Sequence, residues 1–325
     1  MQEDVGKIIS VLDTIPDEAL TEEQRKIKEK YFHRFKYQDE QVDHNTNDTI
    51  LISLLQVYHT YWRKTLLDKR NKEQYDKELK DSVMAFLRSH NYKPSSVSQP
   101  DIASNFGQHL KDFLKQQNYY AATGKTGGLF DLFIWPKEDT TTYQVKLPET
   151  EVKATIIFID STVTMGWQEY ATFGKYYAGG WATKEFHYSV RKAYDTNSEN
   201  FKVSYLTHEA QHFADYKTYP LLTGADLEYR AKLTELVFAR ETLYNLIQTF
   251  IRNANKEGRN SHAFANYAVI RDLSCEIFKK NFVSDIEQWK KVSSSKISKS
   301  SERLLKQHSK ALKKAGPDAV TELIN

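Results

Sequence analysis

Cysteine is almost absent from this sequence, and so is any long apolar run. The one cysteine is Cys275, which excludes an internal disulfide. No stretch approaches the roughly 20 apolar residues that a helix needs to cross a bilayer, so we expect no membrane span. The N-terminal residues 1–6 are acidic and lack the apolar segment of a secretory signal. We therefore expect a cytoplasmic protein by default, or an exported one if a leader has been removed.

A strong charge of one sign is lacking too. The 46 Lys and Arg residues nearly balance the 43 Asp and Glu residues, which leaves a net charge of +3. Nucleic acid is therefore not expected as a partner. The basic excess is local, because residues 289–325 contain nine Lys or Arg against three Asp or Glu. A solvated terminal helix and linker is the favoured interpretation of that segment, ahead of a binding patch.

The remaining composition is that of a soluble globular protein, with 40% hydrophobic and 27% charged residues. A chain of 325 residues can bury a substantial core without disulfides, as one large domain or two. Helical spacing dominates the first 118 residues or so. Thr21 is a candidate cap for a helix to about Tyr37, residues 48–90 have helical periodicity, and a further helix is predicted over 101–117.

The pattern changes to short β-branched and aromatic runs near residue 120. Strands are predicted over 129–135, 140–146 and 152–160, and another over 182–194, which we place at a sheet edge. Residues 122–126 resemble the end of a phosphate-binding loop, but Tyr119 stands where its first glycine belongs, so a turn is predicted there. Helical spacing returns after residue 200 and continues to about 291. The order indicates an α+β fold, predominantly helical with a small mixed sheet.

The segment with the clearest chemistry is His208-Glu209-Ala210-Gln211-His212. Residues four apart on a helix lie on one face, so the imidazoles of His208 and His212 can converge on one metal ion. Glu209 follows the first histidine and can act as a general base towards a metal-activated water. Residues 201–218 contain no proline or glycine, as a helix requires. The spacing therefore predicts a hydrolytic zinc site.

A catalytic zinc ion usually has a third protein ligand and one open position. After the histidines, a Pro/Gly turn precedes a second predicted helix that Asp226 can cap. Glu228 lies in its first turn and Glu235 seven residues later, on much the same face. An antiparallel pair of helices would bring one of these carboxylates to the metal, so the candidates from the residues alone are Glu228, Glu235 and Asp226.

His208-Glu209-x-x-His212, followed by Glu228-x-x-Ala231 on a second helix, resembles the zincin metallopeptidases of the gluzincin type. The resemblance covers only about residues 203–236, and the interval from His212 to Glu228 is a little shorter than in the best-known members. It implies Glu228 as third ligand, Zn²⁺ as cofactor, and a peptide or protein substrate. The related pattern with a third histidine fits poorly, because Asp215 stands in place of its glycine and Thr218 in place of that histidine.

The resemblance also implies a zincin-like metallopeptidase domain, which we place at residues 121–291, between an N-terminal helical region (1–120) and a basic C-terminal segment (292–325). An edge strand would pair with the main chain of the substrate, and residues 182–194 are our candidate. Asp215 is either a carboxylate that orients a ligand or a surface charge. Candidates for stabilising the oxyanion are Tyr229, Arg230, His187 and Tyr188. The alternative function is a zinc-stabilised binding or scaffold protein without turnover.

Overall fold

The computed structural model describes residues 5–40, 42, 44–93, 105–182, 187–257, 260–318 and 322–324. Its α-helices are α1 (Val5–Thr14), α2 (Glu22–Tyr31), α3 (Thr49–Leu67), α4 (Lys72–Ser89), α5 (Phe106–Gln116), α6 (Gly166–Ala171), α7 (His208–Thr218), α8 (Gly224–Phe238), α9 (Leu243–Asn253), α10 (Ser261–Phe278), α11 (Ile286–Lys290) and α12 (Ser294–Ala315). Its strands are β1 (Tyr120–Thr126), β2 (Leu129–Trp135), β3 (Lys137–Lys146), β4 (Glu151–Asp160), β5 (Thr164–Met165), β6 (Gly180–Ala182) and β7 (His187–Val190). The predicted α+β class, mostly helical with small sheets, is confirmed.

The chain folds into two compact units. The first consists of Met1–Glu138 and Ile159–Ala178, and the second of Asp139–Phe158 and Gly179–Asn325. The first unit thus holds strands β1 and β2 together with the N-terminal helices, and the second holds α12 together with α7 to α11. The domain boundaries at residues 120 and 291 follow changes in sequence pattern, and they stay predictions.

The N-terminal helices agree with the sequence prediction except at one break. Thr21 caps α2 and forms a capping box with Gln24, as expected. The helical periodicity over 48–90 is confirmed as two helices, α3 and α4, which are separated at Asp68. The Asp68 carboxylate accepts hydrogen bonds from the Arg70 backbone N–H and from the Asn71 side chain. Such local bonds compete with helix continuation. The helix predicted over 101–117 is α5 from Phe106 onwards, and its predicted start at 101 lies outside the described residues.

The first unit contains a three-stranded sheet in the order β1-β2-β5. The prediction of a turn at residues 122–126 is wrong, because these residues belong to β1, which pairs antiparallel with β2. The turn follows directly after β1, at Gly127 (φ +57°) and Gly128 (φ +86°). Positive φ at both central positions matches the twist of a tight hairpin and favours glycine. The helices pack on this sheet through a core that includes Trp62, Leu110 and Leu132.

The second unit contains a four-stranded sheet in the order β3-β4-β7-β6. Strands β3 and β4 confirm the predictions over 140–146 and 152–160. The prediction of an edge strand over 182–194 is wrong in its position: β7 lies between β4 and β6, and the edge is β6. Residues 183–186 lie outside the described residues. Alternation of side chains indicates a strand, but it does not reveal the neighbours of that strand in the sheet.

Helix α8 forms the centre of the helical part of the second unit. Every residue from Asp226 to Val237 is buried, and α7, α10 and α12 pack around it. The basic segment contributes α12, whose Ile297, Leu305 and Leu312 are buried. The interpretation of this segment as a solvated helix and linker is therefore wrong for one of its faces. Among the described residues, every helix is too short or too polar to cross a bilayer.

Candidate metal centre

The two histidines of the motif lie at the start of α7. A wide π-helical segment, Asn200–Thr207, runs directly into this helix, and such segments are frequent at functional sites. The rings of His208 and His212 are nearly perpendicular, with centroids 4.7 Å apart. Their Nε2 atoms face each other at 3.0 Å. The local geometry expected from a four-residue interval on a helix is therefore present.

Helix α8 brings a carboxylate to this pair of imidazoles. Thr223 caps α8 through the Asp226 backbone N–H, which sets Glu228 in the second turn. Glu228 Oε1 lies 3.2 Å from His212 Nε2, and its Oε2 lies 3.6 Å from His208 Nε2. With zinc–nitrogen distances of 2.0–2.1 Å, tetrahedral ligands are about 3.3 Å from one another. The three side chains are thus spaced as ligands of one ion would be.

Two buried atoms of this group have unsatisfied hydrogen-bonding capacity. Glu228 Oε2 and His212 Nδ1 both lack a hydrogen-bond partner. His262 Nδ1 is 2.8 Å from the same Glu228 oxygen but not in hydrogen-bond geometry. Lys232 Nζ, at 3.5 Å, forms an ion pair with this oxygen but no hydrogen bond, so the oxygen keeps lone pairs that a metal ion can use. Two imidazole nitrogens and one carboxylate are also a donor set that Zn²⁺ accepts. The residues present therefore fit the ion.

The donor group has three members. One atom from each of His208, His212 and Glu228 lies within 4.8 Å of the others. In the part of the chain that the structure describes, no fourth His, Cys, Asp or Glu joins them, and no second group of this kind occurs. Three protein donors are the number found at catalytic zinc sites, whereas structural sites are closed by four.

The two other candidate ligands are engaged elsewhere. Glu235 Oε1 lies 2.7 Å from His208 Nδ1, the ring nitrogen that points away from Glu228. A carboxylate in this position fixes the tautomer and orientation of a metal-binding histidine. Asp226 accepts hydrogen bonds from the Thr223 hydroxyl and the Leu323 backbone N–H, and pairs with His308. Of the three carboxylates left open by the sequence, only Glu228 faces both histidines.

Glu235→Ala is expected to weaken zinc binding by about 10- to 100-fold, the range seen when a residue that orients a metal ligand is lost. Glu235→Gln should retain more affinity, because its amide oxygen can still accept the hydrogen bond from His208 Nδ1–H. Competition with a chromophoric chelator measures both constants. Equal affinity in the wild type and in Glu235→Ala would contradict the orienting role.

The electrostatics favour a cation at the donor group. Burial opposes charging of His208, but the neighbouring Glu235 and Glu228 carboxylates outweigh it and raise the pKa of His208 to about 10. Burial likewise opposes ionisation of Glu228, yet its contacts with His208 and His212 hold the pKa of that carboxyl far below its usual range. The side chains of Glu228 and Glu235 thus stabilise positive charge at the imidazoles.

Glu209, the predicted base, lies on α7 beside the donor group but outside it. Its side chain is one-fifth exposed, and its Oε2 is 3.6 Å from His187 Nδ1. Burial would raise the pKa of Glu209, but His187 and the charges of His208 and His212 offset this and lower it. The carboxylate is therefore ionised and free to accept a proton at neutral pH.

Most of the other predicted site residues are elsewhere. The Tyr229 hydroxyl donates to Asp272, and Tyr188 stacks on Trp181. Arg230 forms a buried ion pair with Asp215, with 2.8 Å between Nε and Oδ2. Asp215 therefore joins α7 to α8, and the alternatives of orienting a metal ligand or lying at the surface are both wrong. His187, one of the four oxyanion candidates, lies beside a site residue, with Nδ1 3.6 Å from Glu209 Oε2.

Arg230→Ala is expected to destabilise the protein by about 3–5 kcal/mol, because it leaves the buried Asp215 carboxylate without its cation. Urea unfolding measures the change. Lys306→Ala is the matched control: it removes an exposed pair with Glu302 and should cost at most about 1 kcal/mol. A similar small cost for both variants would refute the linking role of the buried pair.

Two residues that the sequence did not single out also lie against Glu228. Lys232 Nζ is 3.5 Å from Oε2, and His262 approaches the same oxygen from α10. Lys232 could have been found, since it is four residues from Glu228 on one helix. His262 comes from a separate helix and had no local signal.

No protein-family model matches this sequence, and neither a curated protein nor a solved structure is similar enough to count as a match. Relatives therefore supply no family and no activity. Conclusions about function rest on the donor group on α7 and α8, together with the side chains around it.

Proposed function

We propose that this protein is a zinc-dependent peptidase of the gluzincin type, acting on a peptide or protein substrate. The observation that carries the proposal is the donor group. Two histidines and one glutamate from consecutive helices lie within 4.8 Å of one another, with no fourth member among the described residues. Glu209, next to the first histidine, completes the set of residues that hydrolysis needs.

The surroundings of the donor group support a zincin-like core. Helices α7 and α8 pack against each other. Strand β7 places His187 beside Glu209 of α7, with 3.6 Å between Nδ1 and Oε2. Among the described residues the same sheet ends in β6, a short edge strand, and an edge strand is where an extended peptide can add its main chain. A helix pair beside a sheet edge supports the zincin-like core that we propose.

In the proposed mechanism, His208, His212 and Glu228 would hold the ion, and Glu235 orients His208. When bound, Zn²⁺ supplies a Lewis acid that polarises the scissile carbonyl and lowers the pKa of a water molecule towards about 7. Glu209 accepts a proton from the attacking water and delivers it to the leaving amine. Its low pKa keeps it in the basic form before the reaction.

The alternative is a scaffold in which zinc only stabilises the fold. Such a site is closed by a fourth protein ligand. The three-membered group favours the peptidase, since three protein donors would leave one of the four positions on a zinc ion for substrate or water.

A cleavage assay with a quenched peptide library tests the proposal. The zinc-loaded wild type is expected to cut peptides, a chelator to stop the reaction, and added Zn²⁺ to restore it. Mass spectrometry of the products distinguishes internal from terminal cleavage. A protein with full zinc occupancy that cuts no peptide in a broad library would overturn the peptidase and favour the scaffold.

A further inference from the structure

His187 is a buried histidine with an unexplained nitrogen. Its side chain is 5% exposed, and Nδ1 has no hydrogen-bond partner. Among the described residues, the Glu209 carboxylate lies within ion-pair distance of this nitrogen, with Oε2 at 3.6 Å. The Phe213 ring meets the His187 ring edge-on, with centroids 6.5 Å apart. Buried polar side-chain atoms nearly always have a hydrogen-bond partner.

The strand that carries His187 is fixed to the segment that carries Glu209. The Tyr205 hydroxyl, in the π-helical segment that leads into α7, donates to the Tyr188 carbonyl at 2.7 Å. Gly180 of β6 approaches this carbonyl so closely that a Cβ there would lie 2.5 Å from the oxygen and 3.0 Å from the Tyr205 ring. His187 and Glu209 are therefore held by one framework, and a shift below 1 Å brings them to the 2.7–2.9 Å of a charge-assisted hydrogen bond.

We propose that His187 is the positioning residue for the general base: its Nδ1–H donates to Glu209 Oε2 and turns Oε1 towards the reacting water. This inference rests on the proposed peptidase function and adds to it a residue from the sheet. Hydrogen bonds at catalytic groups are often long before substrate binds. A hydrogen bond to Oε2 leaves Oε1 as the one oxygen that accepts the proton. It also restricts the Glu209 side chain to a single rotamer.

Kinetics of two variants separate positioning from packing. His187→Leu fills the space without a donor and should lower kcat by about 10- to 100-fold, with KM and zinc content unchanged. His187→Asn places an amide N–H near the former Nδ1 and should recover much of that loss. His109→Leu is the matched control, since His109 is likewise buried with an orphan nitrogen but belongs to the first unit; its kcat should be that of the wild type. If Leu supports turnover as well as Asn does, or if the loss lies in KM or zinc content, the positioning role is wrong.

A second measurement does not depend on activity. NMR of zinc-loaded protein labelled with ¹⁵N-histidine identifies the tautomer of His187, with His187→Leu to assign its signals. We expect the Nδ1–H tautomer in the wild type and its loss in Glu209→Ala, because the partner of a ring nitrogen sets which one carries the proton. An Nε2–H tautomer in the wild type, or no response to Glu209→Ala, would overturn the contact. If no peptide is cut but this tautomer is found, the peptidase proposal fails while the contact stands.

Discussion

Glu209→Gln is expected to lower kcat by about 10²- to 10⁴-fold, the contribution of a general base, and to leave zinc bound. The amide has the size of the carboxylate but cannot accept a proton. Zinc should remain because Glu209 lies outside the donor group of His208, His212 and Glu228. The measurement is kcat on a cleaved library peptide, together with elemental analysis of the same sample.

The control for this variant is Glu257→Gln, a change of the same kind at an exposed position. It should leave both turnover and zinc content unchanged. Hydrolysis by Glu209→Gln at the rate of the wild type would remove Glu209 from the mechanism. Loss of zinc from Glu209→Gln would instead make it part of the metal site.

His212→Ala should lose both zinc and activity. It removes one of the three metal donors. Loss of a residue that only orients a ligand lowers zinc affinity by up to about 100-fold, and we expect a larger loss here. Elemental analysis after dialysis and competition with a chelator measure the loss. His33→Ala, at a half-exposed histidine of the first unit, is the control and should retain zinc. Stoichiometric zinc in His212→Ala would show that the ion binds elsewhere.

The sequence could predict the part of the site that one helix determines. A four-residue interval places His208 and His212 on one face whatever the rest of the chain does. The choice among carboxylates was not local. Glu228 and Glu235 are seven residues apart and lie on nearly the same face of α8, so only the packing of α8 on α7 decides which one faces Nε2 and which one faces Nδ1. The family resemblance pointed to Glu228, and the residues alone did not.

The fold shows the same division between local and long-range information. The Thr21 cap and the strands at 140–146 and 152–160 follow from residue type and alternation. The position of β7 inside the sheet and the buried face of α12 depend on partners far away in the sequence. The excess of basic residues in 289–325 predicted a solvated helix and linker. Three apolar residues at helical spacing nevertheless bury one face of α12.

In the proposed site, helices α7 and α8 share one zinc ion. A crystal structure of the zinc-loaded protein, with anomalous diffraction at the zinc edge, tests it most directly. We expect one peak per chain at about 2.0–2.2 Å from His208 Nε2, His212 Nε2 and a Glu228 oxygen, with the fourth position open to solvent. A peak at another site, or a fourth protein ligand on the ion, would contradict the account.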